Sequence, residues 1–316
     1  MPRNGASREA GRAARRGRKA ACGYHKSMRP SESRYFDVRG LRYHVRCWPA
    51  PGAPKVVLLH GWMDVSASFQ FFVDALRGTW DVLAPDWRGY GLTDWGREDC
   101  YWFPDYLADL DALLAQISPD HAVHLVGHSL GGNVACLYAG VRAERVSKLV
   151  NLEGFGMAAT RPEDAPRRYA RWLEELRDRP RLRPYQTFGE LARRLQQDNP
   201  RLTQERADFL ARHWGREAEQ GEVVLRSDPA HKIVNPILYR YEEARACWRQ
   251  VRAPMLWVDG AESTTPRRIG LDAAQLAERR SHFRDLRYAA VPDAGHMLHH
   301  DQPEALARLV EEFLAR

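Results

Sequence analysis

The sequence contains no apolar run approaching the roughly 20 residues that a helix needs to cross a bilayer, so no membrane span is expected. It contains no Cys-x-x-Cys pair, and its five cysteines (Cys22, Cys47, Cys100, Cys136 and Cys247) are an odd number. That pattern argues against a zinc or disulfide framework and for a reducing compartment, so a cytoplasmic location is expected. No internal repeat is evident. An excess of charge on the body is missing too. The formal net charge is +7, but residues 1–29 hold nine of the 48 Lys and Arg and only one acid, Glu9. The rest carries 39 bases against 40 acids. A phosphate-binding groove needs bases clustered on the folded body, so no nucleic-acid partner is expected.

The basic segment, taken as residues 1–33, lacks the apolar stretch of a secretory leader. It is Arg-rich and acid-poor like a transit peptide, but rich in Gly and Ala without an amphipathic pattern. Met28 stands just before the first strand-like segment, so a start there is a further reading. Low hydrophobicity predicts a disordered extension.

From Tyr35 onward, strands alternate with helices, which predicts an α/β fold with a mostly parallel sheet. Tyr35–Val38 and Leu41–Trp48 read as two antiparallel strands. Lys55–His60, Trp80–Pro85, Ala122–Gly127 and Val146–Leu152 are short apolar runs of the buried-strand kind. Helices are expected over Ser68–Leu76, Pro104–Ile117 and Leu130–Val141. The alternation stops at residue 155. Residues 155–245 are rich in Arg, Glu and Leu at helical spacing and predict an all-helical insertion between 34–154 and 246–316. Insertions of this size are often lids over a site. Strand–helix order resumes with Pro254–Val258, a helix near 268–280, Leu286–Val291 and a closing helix Pro303–Leu314.

Gly127-His128-Ser129-Leu130-Gly131-Gly132 fits G-x-S-x-G between a predicted strand and a predicted helix, the context that gives this motif its meaning. A tight turn there would hold Ser129 at the carboxyl end of the sheet as a nucleophile. The following helix would offer the Leu130 N–H to a developing oxyanion. A hydroxyl needs a general base. His296, just after Gly295 and the last predicted strand, is the candidate; its neighbours His299 and His300 are read as surface or capping residues. No partner at ligand spacing accompanies the three histidines, so no metal is expected. His60-Gly61-Trp62, leaving a strand, can aim the Trp62 N–H at the same oxyanion.

His60-Gly61, the segment Asp86-Trp87-Arg88-Gly89-Tyr90-Gly91, the Gly127–Gly132 elbow, and Gly295-His296 with Asp301 and Pro303 beyond occur in the order seen in the α/β-hydrolase superfamily. From about Tyr35 to the C-terminus the chain resembles serine-hydrolase-like proteins, neighbours of haloalkane dehalogenases and epoxide hydrolases. The resemblance implies an eight-stranded sheet flanked by helices, a helical cap, Ser129 as nucleophile, His296 as base, the Trp62 and Leu130 amides as oxyanion hole, and no cofactor. Dehalogenases and epoxide hydrolases carry Asp where this chain has Ser129, which disfavours those activities. The acid departs from the common pattern, because the usual slot after the post-cap strand is Ser263. Three carboxylates stay open: Glu153, in the slot some relatives use before the cap, then Glu262, then Asp259.

Aromatic residues Trp62, Tyr101, Trp102, Phe103, Phe155, Trp172 and Trp214, together with His60, are candidates to line a pocket. Its small-molecule substrate would be a small or medium hydrophobic ester. The rival reading is a ligand-binding protein that keeps the fold with little or no catalysis, supported only by the displaced acid. The sequence does not give an oligomeric state.

Overall fold

The apolar runs become the middle of an eight-stranded sheet in the computed structural model, which describes residues 28–316. The strands in chain order are β1 (Glu32–Val38), β2 (Leu41–Trp48), β3 (Lys55–Leu59), β4 (Asp81–Pro85), β5 (Val123–His128), β6 (Val146–Leu152), β7 (Gly215–Glu217), β8 (Val223–Leu225), β9 (Met255–Gly260) and β10 (Leu286–Val291). The large sheet runs β1-β2-β4-β3-β5-β6-β9-β10, with β1 and β2 antiparallel to their neighbours and the other six strands parallel. This is the expected α/β architecture. Of the extension expected over 1–33, residues 1–27 lie outside the described residues. The remainder is placed: the Arg29 N–H donates to Asp74 at 2.8 Å, and β1 starts at Glu32, three residues before the predicted strand.

Parallel strands covered on both faces must be apolar on both. Val57, Leu59, Leu125, Leu149 and Trp257 point to one side, against Leu110 of helix Phe103–Ile117 and Val134 of helix Leu130–Val141. Val56, Leu58, Val126, Val150 and Val258 point to the other, against Phe72 of helix Gln70–Ala75 and Leu306 and Val310 of helix Pro303–Ala315.

Between β6 and β9 lie helices Ala165–Arg177, Phe188–Asp198, Gln204–Trp214 and Tyr241–Trp248. Two of them have their own apolar core, including Leu191, Leu195 and Leu210. Thr187 and Thr203 start that pair by accepting the N–H of Glu190 and Arg206 on their hydroxyls. The segment is not all helical, contrary to the expectation. Gly215–Glu217 and Val223–Leu225 pair as a hairpin, closed where Ala218 N–H donates to the Glu222 carbonyl at 2.7 Å. Val223 is buried in the same small core, and this packing overrides helical propensity. The helix expected near 268–280 is two pieces, Thr265–Arg268 and Ala273–Arg280. Among the described residues no helix is long and apolar enough to cross a membrane.

The segment after β4 is anchored by charge. Arg88 grips buried Asp109 of helix Phe103–Ile117 from Nε and Nη2, both at 2.5 Å, and the Tyr43 hydroxyl donates to the same carboxylate at 2.8 Å. Asp86 accepts Ser66 N–H at 2.6 Å and Leu92 N–H at 2.9 Å, and its Oδ2 lies 2.7 Å from His44 Nδ1. These bonds make the Asp86–Gly91 segment a brace rather than a source of reacting groups. Truncating one partner of a buried ion pair strands the other. Asp109→Ala should therefore lower unfolding stability by about 3 kcal/mol in urea titrations. A loss well under 1 kcal/mol would show that the pair holds little.

Candidate active site

The carboxyl ends of β3, β5 and β6, and the loop after β10, open on the same edge of the sheet. At the end of β5 the chain turns into helix Leu130–Val141 through Ser129, whose φ of 52° and ψ of −114° are unusual for a residue with a side chain. Two bonds hold that strain: Ser129 N–H donates to the Leu152 carbonyl at 2.8 Å, and Asn133 N–H donates to the Ser129 carbonyl at 3.0 Å. The turn also needs glycine on both sides. A Cβ on Gly127 would lie 2.3 Å from the Gly131 carbonyl oxygen, and one on Gly131 would lie 2.1 Å from that of Leu59.

His296 reaches this turn from the loop after β10. Its Nε2 lies 3.1 Å from Ser129 Oγ, and its Nδ1 lies 3.0 Å from Glu153 Oε2. A carboxylate accepts and an imidazole donates, so Nδ1 carries the proton and Nε2 turns its lone pair toward the hydroxyl. The loop is held at Gly295, whose N–H donates to Asp301 at 2.8 Å, and Asn199 Nδ2 donates to the other oxygen of Asp301 at 2.7 Å. The residue before Ser129 also helps: His128 Nε2–H donates to the His296 carbonyl at 2.8 Å.

Of the three open carboxylates, the structure brings Glu153 to His296. Glu153 sits at the end of β6 with φ of 58°, buried, pinned by its own N–H on the Val258 carbonyl at 3.0 Å. Its Oε1 accepts Gly260 N–H at 2.7 Å, and its Oε2 accepts Ser263 Oγ–H at 2.5 Å. Ser263, the slot where an Asp is commonest, thus reaches the same carboxylate as a donor. The other two acids are engaged elsewhere. Glu262 pairs with Arg201. Asp259 accepts Trp257 Nε1–H at 2.8 Å and pairs with Arg280; burial pushes its carboxyl up to about 6 although Arg280 pulls the other way.

Trp62, in the loop after β3, and Leu130, at the start of helix Leu130–Val141, line one cavity with Ser129. A Cβ on Gly61 would lie 3.3 Å from Ser129 Cβ, which fixes how closely the loop after β3 approaches the turn. Neither the Trp62 N–H nor the Leu130 N–H has an acceptor among the described residues. A cavity of about 460 Å³ opens over Ser129 and Leu130, lined by Trp62, Trp102, Phe103, Met157 and Ile233 among others.

Four expected lining residues are not on this cavity. His60 is buried within the loop, its Nδ1 on the Gly61 carbonyl at 2.8 Å and its Nε2 accepting Trp87 N–H at 2.9 Å; burial lowers its pKa to about 4. Phe155 belongs to the core beside Trp257. Trp172 packs on that core from outside the cavity, and Trp214 donates to Ser68 Oγ at 3.0 Å. Sequence reasoning missed His231, which does line the cavity. Tyr90 and Tyr101 stack on either side of its ring at 3.7 and 3.8 Å between centroids. No local motif marks it, because the three aromatic rings come from distant segments. His299 and His300 are also corrected. Both are buried, because the helical turn Leu298–Asp301 packs its rings against Phe69 and Phe71.

Residues 54–303 match the family model described as alpha/beta hydrolase fold. The chain is 28% identical to a serine hydrolase-like protein of Danio rerio over 277 residues, 84% of this chain and 82% of that one. It is 22% identical to serine hydrolase-like protein 2 of Homo sapiens, covering 85% of this chain and 89% of the relative. Among solved structures, the thioesterase domain from the curacin biosynthetic pathway superposes with a TM-score of 0.80 at 23% identity, over 90% of this chain and 99% of that domain. That likeness concerns the fold.

Proposed function

The chain belongs to the α/β-hydrolase family, and from that membership we propose that it is a serine hydrolase cleaving an ester-like acyl bond. The observation that carries the reading is His296, poised with one ring nitrogen on Ser129 and the other on Glu153. In this mechanism Ser129 Oγ attacks the acyl carbonyl while His296 Nε2 takes its proton. The carbonyl oxygen gathers charge toward the Trp62 and Leu130 N–H groups, each worth about 3 kcal/mol in such a role. His296 then gives the proton to the leaving oxygen, and the acyl group stays on Ser129. Water, deprotonated by the same nitrogen, attacks the acyl-enzyme and restores the hydroxyl. Glu153 holds the imidazole in the right tautomer and stabilises its cation.

The segment 155–245 acts as the cap in this reading. It supplies Met157, Arg168, Ile233 and Asn235 to the cavity over Ser129. A cavity of about 460 Å³ with an aromatic and aliphatic wall suits a small or medium hydrophobic acyl substrate. The contact between Glu153 and His296 weakens the ligand-binding alternative, whose support was a displaced acid.

A fluorophosphonate probe should add one covalent mass to the protein, mapped by peptide mass spectrometry to Ser129. Short p-nitrophenyl esters should be hydrolysed by the same preparation. A folded protein that shows neither result would favour the ligand-binding alternative.

A further inference from the structure

Beneath the turn that carries Ser129, three buried side chains converge: Asp64, His128 and His299. One ligand-capable atom of each lies within 4.8 Å of those of the other two. The His299 Nε2 to Asp64 Oδ2 distance is 3.9 Å, too long for a hydrogen bond.

The hydrogen-bond inventory shows which atoms face one another. Asp64 Oδ1 is taken, accepting Val65 N–H at 2.8 Å and the Ser68 hydroxyl. Its Oδ2 has no partner. His128 Nε2 must carry the proton it gives to the His296 carbonyl, so Nδ1 is left as a bare lone pair, also without a partner. Neither nitrogen of His299 has one. A neutral imidazole carries one N–H and one lone pair, so His299 keeps one nitrogen free to act as a ligand. Four buried polar atoms thus lie close together without partners in a dry place, which costs free energy unless a water or a cation joins them. A divalent cation takes one lone pair from each of the three side chains at once.

We propose that Asp64, His128 and His299 form a binding site for one divalent transition-metal cation of the zinc class. Two imidazoles and one carboxylate are a donor set suited to that class and poorly suited to calcium or magnesium. The ligands come from three segments: Asp64 lies two residues after Trp62, His128 ends β5 just before Ser129, and His299, in the helical turn Leu298–Asp301, lies three residues after His296. The cation is a structural tie that holds the nucleophile, base and oxyanion segments together. It takes no part in the acyl transfer, and this site stands whether or not that reaction is the right one. The three residues are buried, so the cation enters as the chain folds.

The test is metal content. The full chain is expressed in medium supplemented with Zn²⁺ or with Co²⁺, purified without chelators or metal-affinity resin, and gel filtered. Elemental mass spectrometry should find about one Zn²⁺ or Co²⁺ per chain, and less than about a tenth in Asp64→Asn and His299→Gln. Wild-type protein grown without added metal should melt about 5 °C or more below the zinc-grown form. Should a variant fail to fold, the wild-type cobalt form still decides the matter. It should show the visible absorption of cobalt bound by nitrogen and oxygen, with no thiolate charge-transfer band. Wild type that retains less than about a tenth of an equivalent of either metal overturns the site. So does metal retained in full by folded His299→Gln.

Discussion

Ser129→Ala should remove measurable ester hydrolysis, a fall in kcat of about 10⁶ where the wild-type enzyme is fully active. The substitution deletes the oxygen 3.1 Å from His296 Nε2 and little else. The turn should survive, because it is held through the backbone by the bonds of Ser129 to Leu152 and Asn133. Alanine pays a modest extra cost at φ of 52°, so the melting temperature should move by only a few degrees. The proposed oxyanion amides and the cavity remain, and a weak residual rate over water is compatible with them. Parallel measurement of p-nitrophenyl ester turnover and thermal melting checks the result. A folded variant that keeps more than about 1% of activity would remove Ser129 from the reaction.

The second large effect separates the carboxylates. Glu153→Gln should depress kcat/KM by about 10⁴, because an amide facing Nδ1 favours the wrong imidazole tautomer. The Gln carbonyl can keep the Gly260 N–H, so the fold should be little changed. Glu262→Gln should alter kcat/KM by no more than a few-fold, since Glu262 is exposed and paired with Arg201. Steady-state kinetics on the two purified variants decide the ranking. Reversal of that ranking would pass the orienting role to Glu262.

Much of this architecture was legible because it is local. Helix Leu130–Val141 and strands Val146–Leu152 and Leu286–Val291 are where periodicity placed them. The elbow and the glycine before His296 are short motifs whose meaning depends on the strands around them. What sequence did not resolve depends on contacts between distant segments. On paper Glu153, Glu262 and Asp259 all stay open, in that order, and only the packing of β6 against β9 shows which of them meets the imidazole. His299 and His300 look like surface residues until the final helices close over Phe69 and Phe71. The hairpin Gly215–Leu225 was missed because two three-residue strands carry too short a pattern to register.

The bond from Ser263 to Glu153 bears on how such a site can change owner over a lineage. Residues 153 and 263 approach one point from two adjoining strand ends, so the negative charge can be delivered from either backbone. A transitional protein with acids at both places would press two carboxylates together, and one would have to stay protonated. Serine at 263 avoids that repulsion and adds a hydrogen bond instead. The charge can therefore migrate between neighbouring strands while the imidazole it serves stays where it is.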